Sequence, residues 1–342
     1  MIRIGVIGFG YWGPNLVRNF AEAKGSQVVA VSDRRTERLA VASSRYPGIR
    51  TMTDARELIR STDVDAVVIA TPVSGHFPLA LEALQAGKHV LVEKPLTATS
   101  EQALRLIDEA ARRRQTLLVD HTFVYTGAVR KIHEQVTSGA LGEVYYYDSV
   151  RVNLGLFQHD VNVLWDLAAH DLSIMDHVLP FRPCAVSATG ISHVPNEPEN
   201  VAYLTLFFET SVIAHIHVNW LAPVKVRRTL IGGARKMIVY DDLEPSEKIK
   251  IYDKGISIAN TPEHVYEVLI SYRTGDMNAP QLQTTEALQN EANHFLRCIA
   301  GEEKPLSGGD AGLQVVSLLE AASYSLKQRG RPVEIKSIVQ AA

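Results

Sequence analysis

The 342-residue chain is 46% hydrophobic and 21% charged, with a formal net charge of −3 and no low-complexity tract. That length and apolar content suit two domains, each with its own core, and the near-neutral charge excludes the clustered basic excess of a nucleic-acid binder. No apolar run approaches the roughly 18–20 residues of a transmembrane helix, and Met1–Gly8 is far too short for a signal sequence, so a cytoplasmic protein without membrane partners is expected. Cys184 and Cys298 stand in no CxxC or metal-ligand spacing and read as reduced thiols, and no histidine–cysteine–carboxylate cluster suggests a metal.

Residues 1–120 alternate short β-branched runs with amphipathic stretches. The runs are Ile2–Ile7, Val28–Ser32, Ala66–Ala70, His89–Glu93 and Thr116–Val119. The helical stretches between them are Asn15–Ala23, Thr36–Arg45, Ala55–Arg60, Phe77–Ala86 and Ser100–Arg114. The runs are apolar on both faces, as parallel strands covered on both sides must be. Gly87 reads as a helix C-cap and Thr99 or Ser100 as an N-cap. The series predicts an α/β Rossmann domain with a doubly wound parallel sheet over residues 1–120.

Beyond about residue 140 the pattern changes to long alternating runs: Val144–Asn153, Ala185–Ser192, Val201–Phe208, Val212–Trp220, Lys225–Ile231 and Lys248–Tyr252. Gly232-Gly233 reads as a hairpin turn. Helices are expected at Val163–Val178, Thr285–Ala300 and Gly312–Gln328. Residues 121–342 are therefore expected to form an α+β domain on a large, open, mainly antiparallel sheet, with the C-terminal helix free to pack back on the first domain. With more sheet than helix to cover it, that domain suggests a homodimer or homotetramer joined through sheet faces.

Gly8-Phe9-Gly10-Tyr11-Trp12-Gly13 follows a strand directly and opens a helix, which is the context a dinucleotide pyrophosphate requires. Asp33 ends the second strand about 20 residues further on, where a carboxylate binds the ribose hydroxyls and repels a 2′-phosphate. NAD is therefore favoured, while Arg34 and Arg35 beside it leave NADP open. Thr71, Pro72 and His76 lie where a loop would cover the nicotinamide side. Glu93-Lys94-Pro95 sits at the carboxyl end of a strand, where open α/β sheets bind ligands and where a lysine serves proton transfer or holds an alkoxide. Asp166 and His170 are four apart in a predicted helix, so they share a face one turn apart and suit general acid–base work.

Together these residues resemble the Gfo/Idh/MocA oxidoreductases, the glucose–fructose oxidoreductase and inositol dehydrogenase family. The resemblance runs through Gly5–Gly10, Ala86-Gly87-Lys88-His89-Val90-Leu91-Val92-Glu93-Lys94-Pro95, Gly139–Val144 and the Asp166/His170 pair. It implies that Lys94, Asp166 and His170 are catalytic, that the glycine turn, Asp33 and Glu93 hold the cofactor, and that the Lys94–Pro95 bond can be cis. The chain departs from the commonest pattern at His159–Trp165, at Ser173 and at Asp120–Tyr125. Those departures are similar to the branch acting on nucleotide-linked sugars, such as UDP-N-acetylglucosaminuronate 3-dehydrogenases. His121, Tyr125, Arg151, Asn153, Asn162 and Arg227 are the candidates to meet such a sugar substrate. A free polyol or inositol dehydrogenase, a ketosugar reductase, and a catalytically silent dinucleotide-binding protein are the alternatives.

Overall fold

The computed structural model describes residues 1–155, 161–258 and 270–335; His159 and Asp160 of the departing stretch lie outside them. The chain divides into two compact units, Met1–Thr126 with Thr284–Ser317, and Gly127–Gln283 with Leu318–Ala342. The segment Thr284–Ser317 thus belongs with the N-terminal unit, a return that a single cut at residue 120 does not contain. Among the described residues no helix is long and apolar enough to cross a membrane.

The first unit carries β1 (Ile2–Ile7), α1 (Gly13–Glu22), β2 (Ser26–Ser32), α2 (Thr36–Arg45), β3 (Arg50–Met52), α3 (Ala55–Arg60) and β4 (Ala66–Ile69). It continues with α4 (Val73–Gln85), β5 (His89–Glu93), α5 (Ser100–Arg113) and β6 (Leu117–Asp120). The sheet order is β3-β2-β1-β4-β5-β6, all parallel, so the winding reverses between β1 and β4. At that reversal the loops leaving the two strands part and open a crevice for a ligand. The helix ends follow their residues: Thr99 caps α5 by accepting the Gln102 amide at 3.2 Å, and Gly87 takes a φ of +77° just past α4. The core joins Ile4, Val6, Leu16, Phe20, Val31 and Leu91 to Leu288, Ala292 and Phe295.

The second unit begins with α6 (Gly127–Thr137), β7 (Val144–Leu154), a π-type turn at Leu164–Ala168, α7 (Ala169–Val178), β8 (Ala185–Ile191), β9 (Val201–Phe207), β10 (Ile213–Asn219) and β11 (Leu221–Gly233). Then follow β12 (Met237–Asp241), β13 (Ile249–Tyr252), the pair β14 (Gly255–Ile258) and β15 (Ile270–Arg273), and β16 (Met277–Asn278). Helix α8 (Ala287–Ile299) lies in the first unit, α9 (Gly309–Lys327) starts there and ends in the second, and β17 (Val333–Glu334) closes the described chain. The nine-stranded sheet runs β16-β13-β12-β11-β7-β10-β9-β8-β17, antiparallel except where β10 lies parallel to β7. Gly232-Gly233 is not the hairpin turn: both glycines end β11, with Gly232 paired to Met237. A side chain at Gly232 would stand 2.1 Å from the Tyr146 ring, so the glycine serves packing rather than turning.

Candidate active site

The glycine turn shows what each glycine does. Gly8 has φ +99°, and a Cβ there would lie 2.3 Å from the Ala70 carbonyl oxygen. A Cβ at Gly13 would lie 2.0 Å from the Gly8 carbonyl oxygen, so these two are required by the fold itself. Gly10 differs: a Cβ there would meet only the flexible Arg35 guanidinium at 3.3 Å. Its bare backbone is what a dinucleotide needs for close approach, and no side chain caps the start of α1 ahead of it. Tyr11 projects into solvent, whereas the Trp12 indole donates to Asp120 Oδ2 at 2.8 Å and ties the turn to the end of β6.

Asp33 is buried. Its Oδ2 accepts the Phe9 amide at 2.8 Å and its Oδ1 the Arg35 amide at 2.9 Å. Burial works to raise its pKa, but the Arg35 guanidinium and these amides outweigh that and hold it below the usual carboxylate value. Of the two arginines expected beside Asp33, Arg35 meets it, through Nε at 3.1 Å and Nη2 at 3.2 Å, and Arg34 is an exposed side chain.

At the end of β4, Thr71 is half-buried and Pro72 exposed, but His76 is fully enclosed, with each ring nitrogen 2.8 Å from a main-chain carbonyl oxygen. It is thereby a fixture of the scaffold, not a ligand-facing side chain as expected. Glu93 ends β5 and accepts the Lys94 amide at 3.2 Å through Oε2; the Lys94–Pro95 peptide is cis. Register places Glu93 beside Asp120 across β5 and β6, and Glu291 comes to the same place from α8. Burial first, and then the Asp120 charge, pushes both glutamates well above the ordinary carboxylate range. Carboxylates cannot bond to one another, so a proton held by each glutamate makes it a donor toward Asp120, which also accepts from Trp12 and the Thr122 hydroxyl.

Two residues expected to meet substrate, Tyr125 and His121, are both buried. The Tyr125 hydroxyl lies 3.0 Å from His294 Nδ1 and 2.9 Å from Ser307 Oγ, and the residue is 3% exposed. His121 is 2% exposed, and burial lowers its pKa to about 4, so it stays neutral. Neither of its ring nitrogens has a protein partner among the described residues.

In the second unit Asp166 lies in the π-type turn and His170 in the first turn of α7, so the expected single helix is locally unwound where the pair stands. Asp166 Oδ2 accepts the Trp220 indole N–H at 3.0 Å. Trp165 donates to Ser323 Oγ at 2.9 Å, consistent with a structural role. Asn162 donates to Glu199 Oε2 at 3.0 Å and accepts the Trp165 amide at 3.3 Å, which makes it a cap on the turn. Arg151 corrects the expectation most firmly: it is buried and paired with Asp171, Nε to Oδ2 at 2.7 Å. Asn153 is half-buried, and Arg227 reaches Asp242 Oδ2 at 3.2 Å. Lys94 belongs to the first unit, Asp166 and His170 to the second.

Sequence reasoning missed Asp120 and Glu291. An acid ending β6 in register with the one ending β5 was a visible signal for the first; nothing local marks the second.

A 3-2-1-4-5-6 parallel sheet with a glycine turn and a buried aspartate just past β2, joined to a mainly antiparallel open-sheet unit, is the architecture of a Rossmann-type oxidoreductase. Residues 2–121 match the model of the oxidoreductase family with NAD-binding Rossmann fold, and residues 129–239 match the GFO/IDH/MocA C-terminal domain. The chain belongs to the Gfo/Idh/MocA family, and its first unit binds NAD. It is 28% identical to a UDP-N-acetylglucosamine 3-dehydrogenase of Acidithiobacillus ferrooxidans, across 92% of this chain and 94% of that one. It is 32% identical to inositol 2-dehydrogenase 2 of Saccharopolyspora erythraea, across 68% of this chain and 71% of that one. A solved structure of the A. ferrooxidans enzyme superposes with a TM-score of 0.78 at 26% identity, covering 96% of this chain and 98% of that one.

Proposed function

We propose that this NAD-binding oxidoreductase oxidises a ring secondary hydroxyl of a nucleotide-linked sugar to the ketone. The observation that carries the reading is the similarity to the UDP-N-acetylglucosamine 3-dehydrogenase along nearly the whole of both chains. NAD supplies the hydride acceptor at nicotinamide C4. His170 removes the hydroxyl proton as the carbon gives up its hydride, Lys94 holds the oxygen on which charge develops, and Asp166 fixes the geometry around His170. In reverse the same groups protonate a carbonyl. Arg35 on Asp33 leaves a place for a 2′-phosphate, so NADP is a second cofactor to test. The similarity to an inositol dehydrogenase supports a free-polyol substrate as the second reading. Tyr203, Phe207 and Ile213, each more than a third exposed on the sheet face away from α7, support assembly as a homodimer or homotetramer.

The test follows reduced-nicotinamide absorbance with NAD or NADP against UDP- and dTDP-sugars, myo-inositol and free polyols. Turnover of a UDP-sugar that falls by about 100-fold or more in His170→Ala and Lys94→Ala supports the reading. Turnover of myo-inositol alone replaces it with the polyol reading. NAD binding without turnover on any substrate favours a silent dinucleotide-binding protein.

A further inference from the structure

His76 stands in the first turn of α4 and is 1% exposed. Its Nε2 lies 2.8 Å from the Thr71 carbonyl oxygen and its Nδ1 lies 2.8 Å from the Pro95 carbonyl oxygen. Both oxygens only accept. A neutral imidazole has one N–H and satisfies one of them; only the imidazolium donates to both. The ring therefore joins two segments that are distant in sequence: the loop leaving β4, and the residue directly after Lys94.

Pro95 has no amide to donate. The Lys94 amide goes to Glu93 Oε2 at 3.2 Å, and the next firm anchor is Leu96, buried in the core. On the other side the loop is tight: a Cβ at Gly75 would lie 2.8 Å from Thr71 Oγ1, so the turn that presents His76 has little room to shift. The Pro95 carbonyl belongs to the residue bonded directly to Lys94.

We propose that His76 is a positioning residue for Lys94: by donating from Nδ1 to the Pro95 carbonyl it fixes the main chain that carries the lysine. The inference rests on the acid–base role of Lys94 given under Proposed function. Burial works against a charged ring, the Pro95 and Thr71 carbonyls work for it, and Lys94 works against it; His76 is left below the ordinary histidine value. A neutral ring donates to one carbonyl only, and the tautomer proposed carries its proton on Nδ1, toward Pro95.

Two substitutions separate the bonds. His76→Asn puts an amide donor where Nδ1 stood and keeps the Pro95 contact; His76→Gln puts one where Nε2 stood and keeps only the Thr71 contact. The readout is the titration midpoint of the Lys94 ammonium in the full NAD-bound chain, followed by NMR of nitrogen-labelled lysine and assigned by the signal lost in Lys94→Met. NAD affinity and melting temperature are measured on each variant. The expected result is a midpoint near wild type in His76→Asn, and one moved by about half a pH unit or more in His76→Gln and His76→Ala, with NAD affinity within about threefold throughout. An unmoved midpoint in all three, or a His76→Asn shift as large as that of His76→Ala, overturns the proposal. Lys94→Met turning over UDP-N-acetylglucosamine or myo-inositol at the wild-type rate would instead sink the acid–base role of Lys94, and the midpoints would still decide the positioning.

Discussion

Replacing Arg151 by methionine should unfold the second unit early without weakening NAD binding. Arg151 on β7 and Asp171 on α7 form a two-point pair, Nε–Oδ2 at 2.7 Å and Nη2–Oδ1 at 3.3 Å, with side chains 5% and 2% exposed. Without the arginine, Asp171 keeps the Ser149 hydroxyl at 2.7 Å as a donor but loses its counter-charge. Breaking a buried pair from one side costs about 3–5 kcal/mol. For a unit of about 180 residues, at ~2–4 °C per kcal/mol, the melting temperature should fall by roughly 6–20 °C. Asp171→Leu should cost as much alone, and the double variant Arg151→Met/Asp171→Leu should recover most of the loss because no charge is left unpaired. Calorimetric melts of the four proteins, with NAD titrations beside them, measure this. A drop below about 3 °C in Arg151→Met, or a double variant as unstable as the two singles added, refutes the reasoning. Arg151→Met that melts normally but fails to turn over substrate would return Arg151 to the substrate contacts.

Gly10→Ala should fold with a melting temperature close to wild type, since only a movable guanidinium meets the new methyl, yet weaken NAD by about tenfold or more; Gly13→Ala meets backbone at 2.0 Å and should lower both the melting temperature and NAD affinity. Equal melting temperatures for the two would show that the close approach at Gly13 is not a requirement of the fold. Acid stability should depend on His121. His121 goes from 6.5 to about 4 on folding, so below 6.5 the unfolded chain binds a proton that the folded chain refuses until about pH 4. Stability therefore falls as pH drops through that window, by up to roughly 3 kcal/mol, and His121→Gln should flatten the dependence. Identical slopes of unfolding free energy against pH between 6.5 and 4 in the two proteins would exclude the effect.

Sequence alone determined much of this protein, because the signals were local. A strand buried on both faces must be apolar throughout, so the Rossmann strands announced themselves. Gly13 answers to a backbone contact within its own turn, Gly87 and Thr99 to the helix ends they close, whereas Gly8 meets the Ala70 carbonyl at the end of β4. The alternating runs of the second unit gave its strands for the same reason. The tertiary structure decided what depends on meetings between distant segments. Arg151 looked like a substrate arm until α7 brought Asp171 against it, and Tyr125 like a substrate contact until His294 and Ser307 arrived from beyond residue 284. The parallel β7–β10 pairing, the return of Thr284–Ser317 to the first unit, and the meeting of Glu93, Asp120 and Glu291 belong to the same class. Desolvation and proton sharing depend on what surrounds a group in space, and a residue's neighbours in sequence carry no record of it.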